Sequence, residues 1–368
     1  MTQHLSTFFR PSRLRAGLVS FAAASLLAAC GGGDGGDASG YTRVVVFGDS
    51  LSDVGSYATP GVQQLGGGKY TINGSGAKIW VELIADRAGV AAPCAARTGL
   101  ESSGSLAGLA APITDVAGCY GYAQGGARVT NPVGVANKAL LAAGDASAAL
   151  GQLTNPVAEQ VQRHLARDGG FAASDLVTVL AGANDVFLNL AAVNATVAAG
   201  GNASQAAADA VAAMSAAGTE LANLVRQQML PRGARRVVVV SIPDITKTPF
   251  GATLPAQTVA LVQQMTQAFN DALGTGLATA GGVLQVDGYG TSQTIAAAPQ
   301  NFGIGNATAV ACDPGATPLG SLTCNATTTL PGVNVSGYQY ADSVHPTPLG
   351  HKVLADVVVE KMRAFGWF

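Results

Sequence analysis

Arg43-Val44-Val45-Val46-Phe47-Gly48-Asp49-Ser50-Leu51-Ser52-Asp53 is the stretch on which the fold turns. Three valines and a phenylalanine in succession make a short apolar run of the kind buried inside a sheet, and Gly48-Asp49 stops it with a polar turn. The pattern repeats at Asp175-Leu176-Val177-Thr178-Val179-Leu180, which stops at Ala181-Gly182-Ala183-Asn184-Asp185. Residues 236–242 and 283–287 are two further runs of this character. Between and around them the pattern predicts helices over 79–87, 156–167, 202–229, 255–280 and 348–365. Asn202 or Ser204 is placed to cap the third of these, and Pro348 suits the first turn of the last. Near-continuous apolar strands that alternate with helices predict a parallel sheet covered on both faces. Residues 66–76, 95–116 and 302–337 are long and turn-rich, and are expected as loops or small subdomains around the rim. In open α/β sheets ligands bind beyond the carboxyl ends of the strands, which directs attention to the turns at Ser50 and Asn184.

The composition narrows the partners. Of the 368 residues, 48% are apolar, enough for a large core, and only 11% are charged against a usual share of about 25%. The formal net charge is -2 and no basic block or stripe occurs, so nucleic-acid binding is disfavoured. Arg10, Arg13 and Arg15 precede a short apolar stretch, residues 16–27, that is too short to span a bilayer comfortably. Leu27-Ala28-Ala29-Cys30 follows and resembles a bacterial lipobox, in which the Cys is acylated and becomes the mature N-terminus. The alternative is an ordinary signal peptide with a chance Cys. The expected organisation is a lipoprotein signal over 1–29, a Gly-rich tether over 30–41 and one domain over 42–368. Without the signal the chain carries 17 basic and 22 acidic residues, a net of -5. An exported protein tethered to a membrane through Cys30, facing periplasm or cell surface, is implied. Gly31 rather than Asp after the Cys favours the outer membrane; failing a tether, the protein is secreted.

Apart from Cys30 there are four cysteines, an even number that suits two disulfides in an exported chain. Three pairings are possible. Cys94–Cys119 and Cys312–Cys324 are preferred because each pair brackets a loop-like stretch. Zinc is the competitor, but there is no C-x-x-C and histidine is scarce.

Four histidines leave few candidates for proton transfer. His4 lies in the signal, His164 in a helix expected to be exposed, and His351 in the last helix. His345 sits in Asp342-Ser343-Val344-His345-Pro346, where one turn would bring a carboxylate to the ring; a surface turn with unrelated Asp and His is the plainer alternative. A carboxylate on Nδ1 fixes the tautomer and stabilises the imidazolium that forms when Nε2 takes a proton. Ser50 follows a strand directly, on a turn that exposes its hydroxyl to such a base; Asp49, Ser50 or Ser52 as a helix cap is the plainer alternative. Asn184 offers a side-chain amide to a developing oxyanion, or else makes an Asx turn or cap. Gly125 and Gly126 offer backbone N–H groups that a ligand can approach closely, or an ordinary turn in a chain with 48 glycines.

Together the four places, in this order, resemble the GDSL or SGNH esterases and lipases. The blocks are Phe47-Gly48-Asp49-Ser50-Leu51-Ser52-Asp53, Tyr122-Ala123-Gln124-Gly125-Gly126-Ala127, Gly182-Ala183-Asn184-Asp185 and Asp342-Ser343-Val344-His345-Pro346-Thr347. The resemblance spans residues 43–365. The family commonly has Asn at the start of the second block, where this chain has Gly121. The resemblance implies a flavodoxin-like three-layer α/β/α sandwich with a central parallel sheet. It implies Ser50 as nucleophile, His345 as base and Asp342 as the residue orienting the base. It implies an oxyanion hole from the Ser50 N–H, the Gly126 N–H (Gly125 as alternative) and the Asn184 side chain. The expected substrate is a lipid or small acyl ester, with no metal or organic cofactor. A glycan O-deacetylase, phospholipase or acyltransferase would use the same groups, and a lipoprotein that only binds is the reading of another class. Absence of G-x-x-x-x-G-K-[ST], and of G-x-G-x-x-G after a strand, argues against a nucleotide-binding protein.

Overall fold

All four apolar runs become strands of one parallel sheet in a computed structural model that describes residues 40–368. In chain order the strands are β1 (Arg43–Gly48), β2 (Arg97–Leu100), β3 (Ala111–Asp115), β4 (Asp175–Leu180), β5 (Arg236–Val240), β6 (Val283–Val286), β7 (Asn306–Val310) and β8 (Tyr338–Tyr340). The central sheet has the order β1-β4-β5-β6. Its register runs from Arg43 opposite Asp175 to Gly48 opposite Leu180, then Leu176 opposite Arg236 and Val237 opposite Val283. Residues 120–124 lie along the free edge of β1: Val46 N–H donates to Tyr120 O (2.9 Å), and Tyr122 N–H donates to Val46 O (2.8 Å). That segment fills the place of a fifth parallel strand, so the spatial order is the flavodoxin-like one.

The period of two along each strand assigns the two faces. Val45, Phe47, Val177, Val179, Val237 and Val239 pack under the helices Val157–Asp168, Ala183–Ala198, Ala203–Asn223 and Ala256–Leu277. Val44, Val46, Leu176, Leu180, Val238 and Val240 pack against Trp80–Ala88 and Pro348–Ala364. The result is a three-layer α/β/α sandwich around a central parallel sheet, as the resemblance implies. Gly218 lets two of the long helices close to backbone contact, since a Cβ there would overlap the Phe269 carbonyl.

Asn202 is the N-cap of its helix and accepts from Gln205 N–H (3.0 Å). The helix expected over 202–229 is α-helical only over Ala203–Asn223 and widens to a π-helix over Leu224–Met229. Among the described residues four α-helices escape the sequence pattern: Ala183–Ala198, Gly288–Ala297 and the short Pro60–Gln64 and Pro249–Ala252. The turn-rich excursions carry short ribbons, β2 with β3 antiparallel and β7 with β8 parallel. Cys94–Cys119 and Cys312–Cys324 are both bonded, as preferred. Residues 1–29, and all of the tether up to residue 39 with Cys30 in it, lie outside the described residues. Among the described residues no helix is long and apolar enough to cross a membrane.

One expectation fails. His164 is fully buried, not exposed. Val157, Gln160, Val161, His164 and Leu165 share the inward stripe of their helix, so position in the turn overrides the charged neighbour Arg163. Its Nδ1 lies 3.2 Å from Tyr122 Oη, its Nε2 3.1 Å from Gly170 O, and its ring 4.3 Å from that of Phe171. Burial pushes the ring down to about 4, so it stays neutral at ordinary pH.

Candidate active site

The carboxyl end of β1 is built to hold a turn. Gly48 has φ +147, and a Cβ on it would overlap the Leu180 carbonyl of β4. Its backbone is gripped from the next layer by Gln160, whose Oε1 accepts from Gly48 N–H (2.9 Å) and whose Nε2 donates to Gly48 O (2.8 Å). Asp49 follows, buried, its Oδ1 accepting from Leu51 N–H (3.1 Å). Burial pushes this carboxyl up to about 7, against the opposing charge of His345. Ser52 Oγ accepts from Trp80 Nε1 (3.1 Å), which ties the turn to the helix Trp80–Ala88. Ser50 is left at the lip of a cavity of about 190 Å³.

His345 reaches Ser50 from the far end of the chain. Its Nε2 lies 2.8 Å from Ser50 Oγ across 295 positions of sequence. Its Nδ1 lies 2.8 Å from Asp342 Oδ2 and 2.9 Å from Oδ1. The expected single turn is present: Asp342 Oδ1 also accepts from the backbone N–H of Val344 (2.9 Å) and His345 (2.8 Å). Ser321 N–H donates to Oδ2 (2.9 Å) from the loop closed by Cys312–Cys324. Burial alone would raise the Asp342 pKa, but His345 and these N–H donors outweigh it and hold the carboxyl well below its usual range. Asp342 is therefore a carboxylate.

The other two blocks meet at the same cavity. Gly182, at φ +115, ends β4 where any Cβ would press on Phe269 and Ile242. The helix Ala183–Ala198 starts at once, and Asn184 in its first turn lines the cavity. Asn184 does not cap the helix; its Nδ2 donates to Ala127 O (2.9 Å). Asp185 accepts from Arg128 Nε (2.9 Å) and Val129 N–H (3.1 Å), so two consecutive side chains dock the second block on the third. Within the second block Gly125 N–H donates to Asp53 Oδ2 (2.9 Å), whereas Gly126 lines the cavity. Gly126 has φ +77, and a Cβ there would overlap the Val135 carbonyl. The departure at Gly121 has a local reason: a side chain there would run into Val54 and the Cys94 carbonyl beside the first disulfide.

Three residues of the site carried no clear sequence signal. Gln160 is one. Tyr70 is another: its ring lies 4.8 Å from that of His345 and walls the cavity. Aromatic residues are only 6% of the chain, so a tyrosine inside the Gly-rich stretch 66–76 was the available clue. Ser321 acts through its backbone and leaves no pattern at all.

A parallel sheet covered on both faces, with this Ser, His and Asp at its carboxyl edge, is the architecture of the SGNH hydrolase class. A family model described as GDSL-like Lipase/Acylhydrolase matches residues 44–358, and the chain belongs to that family. It is thus a hydrolase of the esterase, lipase and acylhydrolase kind. No curated protein matches it.

Proposed function

We propose that the protein hydrolyses carboxylic esters through Ser50, His345 and Asp342 with an acyl-enzyme intermediate. The observation that carries this reading is the unbroken line Ser50 Oγ–His345 Nε2 (2.8 Å) and His345 Nδ1–Asp342 Oδ2 (2.8 Å). Ser50 Oγ attacks the carbonyl carbon while its proton passes to His345 Nε2. Asp342 stays ionised and stabilises the imidazolium. The carbonyl oxygen, now negative, takes hydrogen bonds from the Ser50 N–H, the Gly126 N–H and Asn184 Nδ2. Collapse expels the alcohol, which leaves with the His345 proton, and Ser50 keeps the acyl group. Water then attacks this ester, giving its proton to His345. The second collapse frees the acid and returns the proton to Ser50. Gly126 is preferred to Gly125 because Asp53 already holds the Gly125 N–H. Leu51, Val135, Phe187, Ile242 and Ile245 give the cavity an apolar wall, which suits an acyl chain.

The test is a fluorophosphonate probe with p-nitrophenyl esters as substrates. Wild type labels and turns over, while Ser50→Ala does neither and His345→Ala loses turnover with its melting temperature kept. Full turnover in either variant would reject the assignment. Export and tethering through Cys30 complete the proposal, supported by Leu27-Ala28-Ala29-Cys30 and the Gly-rich run after it.

A further inference from the structure

Two glycines in a row are the loosest backbone a protein can place at a site that needs a fixed donor. Residues 125 and 126 are such a pair, yet each peptide group around them is held. Gly125 N–H donates to Asp53 Oδ2 (2.9 Å), and Val135 N–H donates to Gly126 O (3.1 Å). The peptide between them is held by Tyr57, whose hydroxyl donates to Gly125 O (2.9 Å). That hydroxyl also accepts from Thr154 N–H (3.2 Å). Because the Thr154 amide can only donate, the one phenolic proton is committed to Gly125 O. Tyr57 is fully buried, and burial raises its pKa well above the ordinary value, so the proton is kept.

Thr154 is itself unusual. It has φ +49, a left-handed conformation that β-branched residues rarely adopt. It is fixed there by its own hydroxyl, which donates to Pro132 O (2.9 Å) and accepts from Asn137 Nδ2 (2.8 Å). A strained residue, braced on several sides and aiming its amide at one phenol, marks that phenol as more than packing.

In a trans peptide the C=O and the following N–H point to opposite sides. Fixing Gly125 O toward Tyr57 therefore turns the Gly126 N–H away from Tyr57, toward the cavity that Gly126 lines. We infer that Tyr57 is a positioning residue for ester hydrolysis: its hydroxyl locks the Gly125–Gly126 peptide with the Gly126 N–H facing the reacting carbonyl oxygen. This rests on the serine-hydrolase reading above. Tyr57 touches no substrate and acts only through the backbone it holds.

The experiment is Tyr57→Phe, which removes one oxygen and keeps the ring. With sites counted by complete fluorophosphonate labelling, kcat and kcat/KM for a short-chain p-nitrophenyl ester should fall together by about tenfold or more, with KM within about twofold. Affinity for an alkyl boronic acid, which forms a tetrahedral adduct on Ser50, should weaken by a similar factor. Unchanged kcat and boronate affinity in a folded variant overturn the inference, as does a loss confined to KM or to the number of labelled sites. If the Phe variant does not fold, fluorotyrosine at position 57 keeps the shape and alters only the strength of the donor; kcat must then move while KM does not. Wild type that neither labels nor turns over would instead reject the serine-hydrolase reading, which separates the two failures.

Discussion

Asn184→Ala isolates one hydrogen-bond donor. In the structure Nδ2 already gives one of its two hydrogens to Ala127 O, which fixes the amide and leaves the second for the cavity. Truncation has two separable costs. Loss of the Ala127 contact affects folding, by about 0.5–1.5 kcal/mol for an ordinary neutral hydrogen bond. Loss of the cavity-facing hydrogen affects only the transition state, by roughly 2.7–4 kcal/mol, or about 10²–10³ in rate. The expected result is therefore a small drop in melting temperature with kcat and kcat/KM reduced together by two to three orders of magnitude and KM nearly unchanged. Steady-state kinetics on a p-nitrophenyl ester, normalised to titrated sites, give the numbers. Asn184→Asp should be no better, since it brings a negative charge toward a developing oxyanion. A large rise in KM with kcat intact would refute the reasoning and make Asn184 a ground-state binding residue.

Three further outcomes are expected. Burial pushes the Asp49 carboxyl up to about 7 from its ordinary 3.8, so its contribution to stability is full below about pH 3.8 and is lost progressively as pH rises to 7. The advantage of Asp49→Asn over wild type in urea unfolding should accordingly grow between about pH 5 and pH 8.5 by up to about 3 kcal/mol, the two units from 5 to 7 at about 1.36 kcal/mol each; equal pH dependence in the two proteins would contradict this. Replacing Cys312 and Cys324 together by Ser should cost roughly 2–4 kcal/mol of stability and also lower kcat, because Ser321 then supports Asp342 from an open loop; a thermal melt paired with kinetics tells whether the two losses travel together. Cys30→Ser should move the protein from the membrane fraction to the soluble one, as followed by fractionation and immunoblot.

The sheet was legible because its strands are buried on both faces and so are written as unbroken valine-rich runs; Asp175–Leu180 has the same ends in sequence and structure. The helix Ala183–Ala198 was not legible. It follows a turn that was itself the centre of interest, and its Asn and β-branched residues give a weak stripe. The site divides in the same way. Ser50, Asp342, His345, Gly126 and Asn184 sit in short local patterns; four of them line one cavity and Asp342 stands behind His345. Gln160, Tyr70 and Ser321 reach the site from other parts of the chain, and Tyr57, though near Ser50, acts on Gly125 68 positions away, so only folding makes these neighbours. His164 is buried beside the charged Arg163 because its place in the helical turn, not its neighbour, decides which way it faces.

The brace under Asp342 has a chemical condition attached. Ser321 meets the carboxylate from a loop that a sulfur–sulfur bond closes at residues 312 and 324. In a thiol-rich compartment that ring stays open, and the acid partner of His345 stands on an unfastened segment. Reduction of that bond should therefore slow the reaction at Ser50 in the unmutated chain, although every reactive group is still in place.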